Sequence, residues 1–265
     1  DLSVSAHTLE YVIVQPVIES EEKKSKKDEG LSLPLSPSIN KDDNLNARYT
    51  FENFIIGPFN EMAHAAALAI CRKPVSYNPV FIYGNTGLGK THLMQAVGNY
   101  FKGHDQSKRI YYITSEKFAQ DMMNSVQSGQ MNKFKEKYRK YDVFIMDDIQ
   151  FFSNKEKTQE ELFHLFNHLY ENNKQIIFSS DRHPNLIPSL ESRLRSRFVS
   201  GMIVDIPQPD HESRMALFKT KALSNGIELS EDSLNLLASH ITGNIREIEG
   251  VINSLAMKKQ VTGKD

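Results

Sequence analysis

Apolar positions along the chain follow two rhythms, and the pattern changes near residue 207. From residue 80 onward, short continuous apolar runs alternate with segments whose apolar positions recur every three or four residues. The runs Val80–Tyr83, Arg109–Ile113, Val143–Asp148, Gln175–Phe178 and Met202–Val204 read as strands, Val143–Asp148 being of the buried type covered on both faces. Between them the helical spacing predicts helices over 90–101, 115–127, 131–140 and from about 153 to 172. Strands that alternate with helices imply a parallel five-stranded α/β sheet. Beyond Pro207-Gln208-Pro209 the pattern is helical only, with helices over 211–224, 230–240 and 244–259. That stretch reads as a small all-helical subdomain.

Polar residues mark where several helices start. Asn60 is placed to cap an alanine-rich helix that runs through about Cys71. Thr114 or Ser115 caps the helix carrying Phe118, Met122 and Met123, which Ser128-Gly129 breaks. Ser153 with Glu156, and Asn244 with Glu247, have the spacing of capping boxes.

The N-terminal part has a different texture. Leu9–Val14 is a short strand-like run within residues 1–17, read as the tail of an upstream N-terminal partner-binding domain. Residues 18–47 are charged, then rich in Pro, Ser and Asn, and read as a flexible tether. Order is expected to begin near Tyr49–Phe54. The expected organisation is therefore 1–17 tail, 18–47 linker, 48–207 sheet subdomain and 208–265 helical lid. The first residue is Asp1, so the chain is expected to be a piece of a longer protein.

A net charge of −1 over 265 residues gives no global field for nucleic acid, so any such site has to be a local patch. The basic helix 131–140, with Lys133, Lys135, Lys137, Arg139 and Lys140, is one candidate. A solvated face over Phe134 and Tyr138 is the alternative. The single cysteine, Cys71, excludes an intrachain disulfide framework and suits a cytoplasmic location.

Chemistry concentrates after the first strand. Gly84-Asn85-Thr86-Gly87-Leu88-Gly89-Lys90-Thr91 has the spacing of a phosphate-binding loop. The backbone N–H groups of Gly84, Gly87, Leu88 and Gly89 can turn toward one anion, and the start of the next helix adds its positive end. Lys90 is expected to reach terminal phosphates, and the Thr91 hydroxyl to ligate Mg²⁺. Asp147 and Asp148 end a buried strand. One can hold Mg²⁺ through water while the other orients or deprotonates attacking water. Ser180 and Asp181 end the next strand on the same sheet edge, where ligands of such sheets bind.

Two arginine-bearing segments complete the candidate set. Arg193, Arg195 and Arg197, spaced by two, cannot all pack inward. One of them can reach a neighbouring subunit's nucleotide, or the three form a surface ion-pair cluster. Arg246 falls in the first turn of a helix, where the dipole disfavours a cation. A reach across the cleft toward phosphate would explain it. His164 and His168 share a helix face but lack a third metal ligand, so packing is the expected role.

These motifs together closely resemble the bacterial chromosomal replication initiators, the DnaA family of AAA+ ATPases. Tyr49–Phe54, Gly84–Leu93, Asp147–Phe152, Asn154–Glu161, Ser179–Arg182, Arg193–Phe198 and Asn244–Gly250 carry the likeness, in the family's order. The resemblance implies an AAA+ fold with ATP or ADP and Mg²⁺ as ligands. It implies that Arg197 is an arginine finger acting on an adjacent protomer, with Arg193 beside it at the interface. It makes Arg246 the second sensor and Ser180-Asp181 the first. Met123, Lys155 and Lys157 match elements that touch single-stranded origin DNA. Implied partners are origin DNA, further copies in a head-to-tail oligomer, a replicative helicase or its loader, regulators of hydrolysis and acidic phospholipids. The activity implied is slow ATP hydrolysis used as a switch in starting replication. The family's C-terminal helix-turn-helix domain, which reads duplex initiator boxes, has no counterpart up to Asp265. A helicase loader or regulatory paralogue is the nearest rival reading, and a metabolic phosphotransferase with the same loop is the second.

Overall fold

The structure, a computed structural model, describes residues 42–262. The run Leu9–Val14 and tether residues 18–41 lie outside the described residues. Five parallel strands form one sheet: β1 (Val80–Tyr83), β2 (Ile110–Thr114), β3 (Val143–Asp147), β4 (Gln175–Ser180) and β5 (Met202–Asp205). Their order across the sheet is β2-β3-β4-β1-β5. The order places β1, which leads into the glycine-rich loop, between β4 and β5. All strands run the same way, so Tyr83, Thr114, Asp147, Ser180 and Asp205 gather at one edge.

Alternate residues of each strand feed two different cores, as the pleat requires. Val80, Ile82, Ile145 and Ile177 face α1 (Glu61–Arg72) and α2 (Lys90–His104). Phe81, Phe144, Met146 and Phe178 face an aromatic layer. That layer is built by α3 (Ser115–Gln127), α4 (Met131–Arg139), α5 (Glu156–Glu171) and α6 (Ser192–Val199). The chain then leaves the sheet for α7 (His211–Ser224), α8 (Glu231–His240) and α9 (Ile245–Thr262). Leu217, Phe218, Ala238, Ile248 and Ile252 of these helices join the core on the α1/α2 side.

Strand positions agree with the apolar runs to within about two residues at each end, whereas several helix starts differ in mechanism. Thr114 caps α3 by accepting from the Lys117 N–H at 3.3 Å. Asn244 does the same for the Glu247 N–H at 3.1 Å. Asn60 does not cap α1. Its side chain accepts from Gly57 N and donates to Ile55 O, which ties down the turn before the helix. The Ser153–Glu156 box does not form either. A short 3₁₀ turn, Ile149–Phe152, ends there, and Ser153 Oγ donates to Gln150 O at 2.9 Å. Its hydroxyl is drawn backward, and α5 starts only at Glu156.

Residues 42–47, read from composition as tether, belong to the fold. Leu45 is only 1% exposed. The Asp43 carbonyl accepts from Tyr112 N at 2.9 Å, and the Asp43 carboxylate meets Lys102. Asn46 N donates to Gln95 Oε1 at 2.7 Å. One apolar residue amid polar ones gives no periodic signal, so composition alone misses this anchor. Leu45→Ala should lower unfolding stability by about 2–5 kcal/mol through the cavity it opens. Urea titration would register this as a lower midpoint with an unchanged slope.

Candidate functional site

The loop after β1 is shaped by close contacts that demand glycine. Gly84 has φ +151°, and a Cβ there would lie 2.3 Å from the Ile206 carbonyl oxygen. Gly87 has φ +80°, and its Cβ would lie 2.6 Å from the Asn244 side chain. Both positions therefore exclude a side chain on conformation and on space. Gly89, itself left-handed, precedes α2 without any side-chain cap. The first N–H groups of α2 are thus left open to an anion, with the dipole in their favour. Leu88 is buried in the core, so only its backbone faces the loop interior.

Lys90 and Thr91 open α2 where the sequence placed them. Lys90 is 6% exposed, and its Nζ donates to the carbonyls of Gly84 at 2.6 Å and Asn85 at 2.9 Å. Burial lowers its pKa, opposed by the charges of Asp148, Asp147 and Asp181. Thr91 Oγ1 donates to Asp147 Oδ2 at 2.6 Å. Tyr112 OH donates to the same oxygen at 2.9 Å, and Ser179 Oγ donates to Asp147 Oδ1. Burial and the neighbouring Asp147 charge raise the Tyr112 pKa, which keeps the phenol a donor. Asp147 is itself 1% exposed.

Asp148 differs from its neighbour. Its backbone is left-handed, with φ 62°, and its side chain lines the cleft while accepting from Gln150 Nε2 at 3.0 Å. Burial, then the Asp147 charge, raises its pKa. The two carboxylates therefore have separate environments, one fixed inside by hydroxyls and one facing the opening. Oxygen donors of this kind, the Thr91 hydroxyl and Asp147 carboxylate in contact, suit a hard divalent cation such as Mg²⁺.

The cleft above the loop is walled from three sides and encloses about 150 Å³. Tyr49, Asn53, Phe54 and Ile55 come from the segment before α1. Leu217 and Lys221 come from α7, and Ile245, Arg246 and Glu249 from α9. Lys221 Nζ pairs with Glu249 at 2.6 Å and joins the two helices at the rim. Ile245 N donates to Gly87 O at 3.0 Å, so the helical subdomain is bonded directly to the loop. Arg246 lines the cleft, and its charge is felt at both Lys90 and Asp148. The mixed wall, apolar and aromatic on one side and cationic on the other, accommodates a flat base beside a chain of anions.

The other expected residues fall in distinct places. Asp181 sits on the same edge, but Arg182 grips both of its carboxylate oxygens at 2.7 and 2.8 Å. That bond holds the Asp181 pKa below the usual range. Arg193 and Arg197 are exposed on one face of α6, away from the cleft lining, and both lie over the Phe163 ring. Arg193 also pairs with Glu191. Arg195 is the arginine that turns inward, with one Nη donating to Leu190 O at 3.0 Å. Met123, Lys155 and Lys157 come together around a shallow groove between α3 and the start of α5. On α4, Lys135 pairs with Glu161 and Lys137 with Asp121, over a core of Phe134 and Tyr138. No cluster of three or more metal-ligating side chains occurs among the described residues, and His164 makes an edge contact with Phe163.

Arg246 lines the cleft as its position in the sequence suggested, whereas sequence reasoning gave no role to Tyr112, to Ser179 or to the apolar walls. Tyr112 and Ser179 belong to neighbouring strands, and only the parallel register brings them to Asp147. The apolar part of the walls, Phe54, Ile55, Leu217 and Ile245, consists of ordinary residues whose role depends on how the elements before α1 and after β5 meet the loop.

Comparison with known proteins agrees with this geometry. Residues 45–205 match the family model of the bacterial DnaA ATPase domain. The chain is 49% identical over 226 residues to the chromosomal replication initiator protein DnaA of Lacticaseibacillus paracasei. That match covers 82% of this chain and 50% of the relative. Among solved structures it resembles domain III of Thermotoga maritima DnaA, with a TM-score of 0.79 and 44% identity. The alignment covers 83% of this chain and 92% of that one. It also resembles a replication initiator DnaA bound to AMPPCP and single-stranded DNA, with a TM-score of 0.77 and 40% identity. That alignment covers 84% of this chain and 67% of the other. The chain spans about half the length of the curated relatives it matches. With its parallel five-stranded sheet, its phosphate-type loop and its helical C-terminal subdomain, this chain belongs to the DnaA replication-initiator family and has the AAA+ fold.

Proposed function

We propose that this chain is the ATPase core of an ATP-dependent initiator of chromosomal replication. The observation that carries the reading is that Lys90 and Thr91, the latter bonded to the enclosed Asp147, line one cleft together with Asp148 and Arg246. ATP fits this arrangement chemically: its phosphates suit the open amides of α2 and the Lys90 ammonium, and its base suits the Phe54, Ile55, Leu217 and Ile245 wall. Thr91 and Asp147 would hold Mg²⁺, which neutralises charge developing on the phosphates. Asp148, whose carboxylate opens to the cleft, would orient the attacking water. Asp181 contributes charge near Lys90, its carboxylate being occupied by Arg182.

The switch resides in the third phosphate. Arg246 in the same chain and Arg197 from the next copy would both favour the triphosphate form. A ligand moves an equilibrium only by its differential affinity for the two states, and two guanidinium groups provide that difference. ATP-bound copies would then assemble head to tail on origin DNA, with slow hydrolysis resetting them. The groove of Met123, Lys155 and Lys157 would take the single strand, since two cations beside an exposed thioether suit backbone and base. A helicase or its loader, regulators of hydrolysis and acidic phospholipids are partners in this reading, and recognition of duplex initiator boxes would belong to a separate domain.

Lys90→Ala should weaken ATP binding by roughly 30-fold or more, from loss of charge-assisted bonds worth about 2–3 kcal/mol. Equilibrium titration with a fluorescent nucleotide checks this. Arg197→Ala should bind ATP as the parent does yet sediment as a monomer where the parent assembles. Assembly at the parent's level would remove the finger role. Joint replacement of Lys155 and Lys157 by Ala should reduce the salt dependence of single-strand binding by about 1.4 in log–log slope. Affinity measured over a salt series reads that slope directly.

A further inference from the structure

Ser179 stands out among buried polar groups near the site because it bonds two functional neighbours at once. It is 0% exposed, on β4, one strand across from the carboxylate pair. Its Oγ donates to Asp147 Oδ1 and accepts from the Asp148 N–H at 3.0 Å. One hydroxyl therefore fixes a side chain and the adjacent backbone of the same corner. The other Asp147 oxygen is already taken by Thr91 and Tyr112. From the α3 side, Ser115 Oγ donates to the Asp148 carbonyl at 2.6 Å.

The corner needs such a clamp. Asp148 adopts a left-handed backbone at φ 62°, which is disfavoured for a non-glycine residue and persists only where surroundings enforce it. That conformation accompanies the change of environment between the two carboxylates: Asp147 is enclosed and Asp148 lines the cleft. Were the Asp148 N–H released, the peptide could relax and the carboxylate would no longer be held at the opening. We infer that Ser179 is a positioning residue that locks the Asp147–Asp148 corner, so that it governs hydrolysis while leaving nucleotide binding to the loop. The inference rests on the nucleotide reading of this cleft. Ser179 is not among the residues lining the cleft, and its side chain bonds to the pair alone, at the Asp147 oxygen that Thr91 does not use.

Four proteins decide the matter: the parent chain, Ser179→Ala, Ser179→Thr and Ser179→Cys. Ser179→Ala should bind ATP and ADP within about threefold of the parent, while kcat falls about tenfold or more with little change in KM. Amide hydrogen exchange supplies a reading independent of turnover. Exchange at the Asp148 N–H should accelerate in Ser179→Ala, while the Ile145 amide in the middle of β3 stays protected. Ser179→Thr retains the hydroxyl and should restore both turnover and protection. If Ser179→Ala does not fold, Ser179→Cys carries the same comparison, since it is nearly isosteric and a poor donor. Parental turnover in Ser179→Ala, or an Asp148 amide as protected as in the parent, would overturn the assignment. Loss of affinity in step with turnover would overturn it too. If the parent chain bound no nucleotide at all, the reading of the cleft would fall and take this inference with it.

Discussion

A single buried carboxylate holds the site together. Asp147 accepts hydroxyl donors from α2, β2 and β4, so three elements far apart in sequence meet at two oxygen atoms. Burying an ionised group is costly unless it is fully hydrogen-bonded, and these donors meet that requirement. The remainder of the site depends on this hub. Thr91 is oriented by it, α2 is thereby fixed against the sheet edge, and the loop before α2 inherits a defined exit.

The sheet order explains why the hub can exist. With β3 and β4 side by side and β1 next to β4, the carboxyl ends of three strands converge beneath the glycine-rich loop. A parallel sheet buried on both faces also leaves its chemistry nowhere to go but the strand ends. The helical subdomain then closes the remaining side. Apolar residues of α7 and α9 continue the core that begins on the α1/α2 face, so the cleft wall and the hydrophobic interior are one continuous surface.

Much of this was legible in the residue order, for reasons that differ by element. The strands announced themselves because each carries a run of three or more consecutive apolar residues, as strands of a parallel sheet do. The loop was legible because Gly84, Gly89, Lys90 and Thr91 stand at a fixed spacing, and both of these glycines have backbone conformations that side chains rarely adopt. Helix starts were less so: Asn60 and Ser153 have the right chemistry for caps, but nearer backbone partners in the preceding turns claimed their side chains. Leu45 was hidden because a lone apolar residue in a polar stretch has no period. Tyr112 and Ser179 were hidden because strand register, which one sequence does not display, brings them to Asp147. The grouping of Met123 with Lys155 and Lys157 came from the family likeness rather than from spacing, since about thirty residues separate them.

The bond from Ile245 N to Gly87 O deserves a mechanical reading. It ties the first residue of the last helix to the tip of the loop, with the Asn244 side chain wedged against the Gly87 Cα. The contact is direct, backbone to backbone at 3.0 Å, with no side chain interposed. The placement of the helical body and the backbone conformation of Gly87 are therefore coupled through one contact. The anchor point of the eighteen-residue final helix on the sheet subdomain thus coincides with the anion cradle.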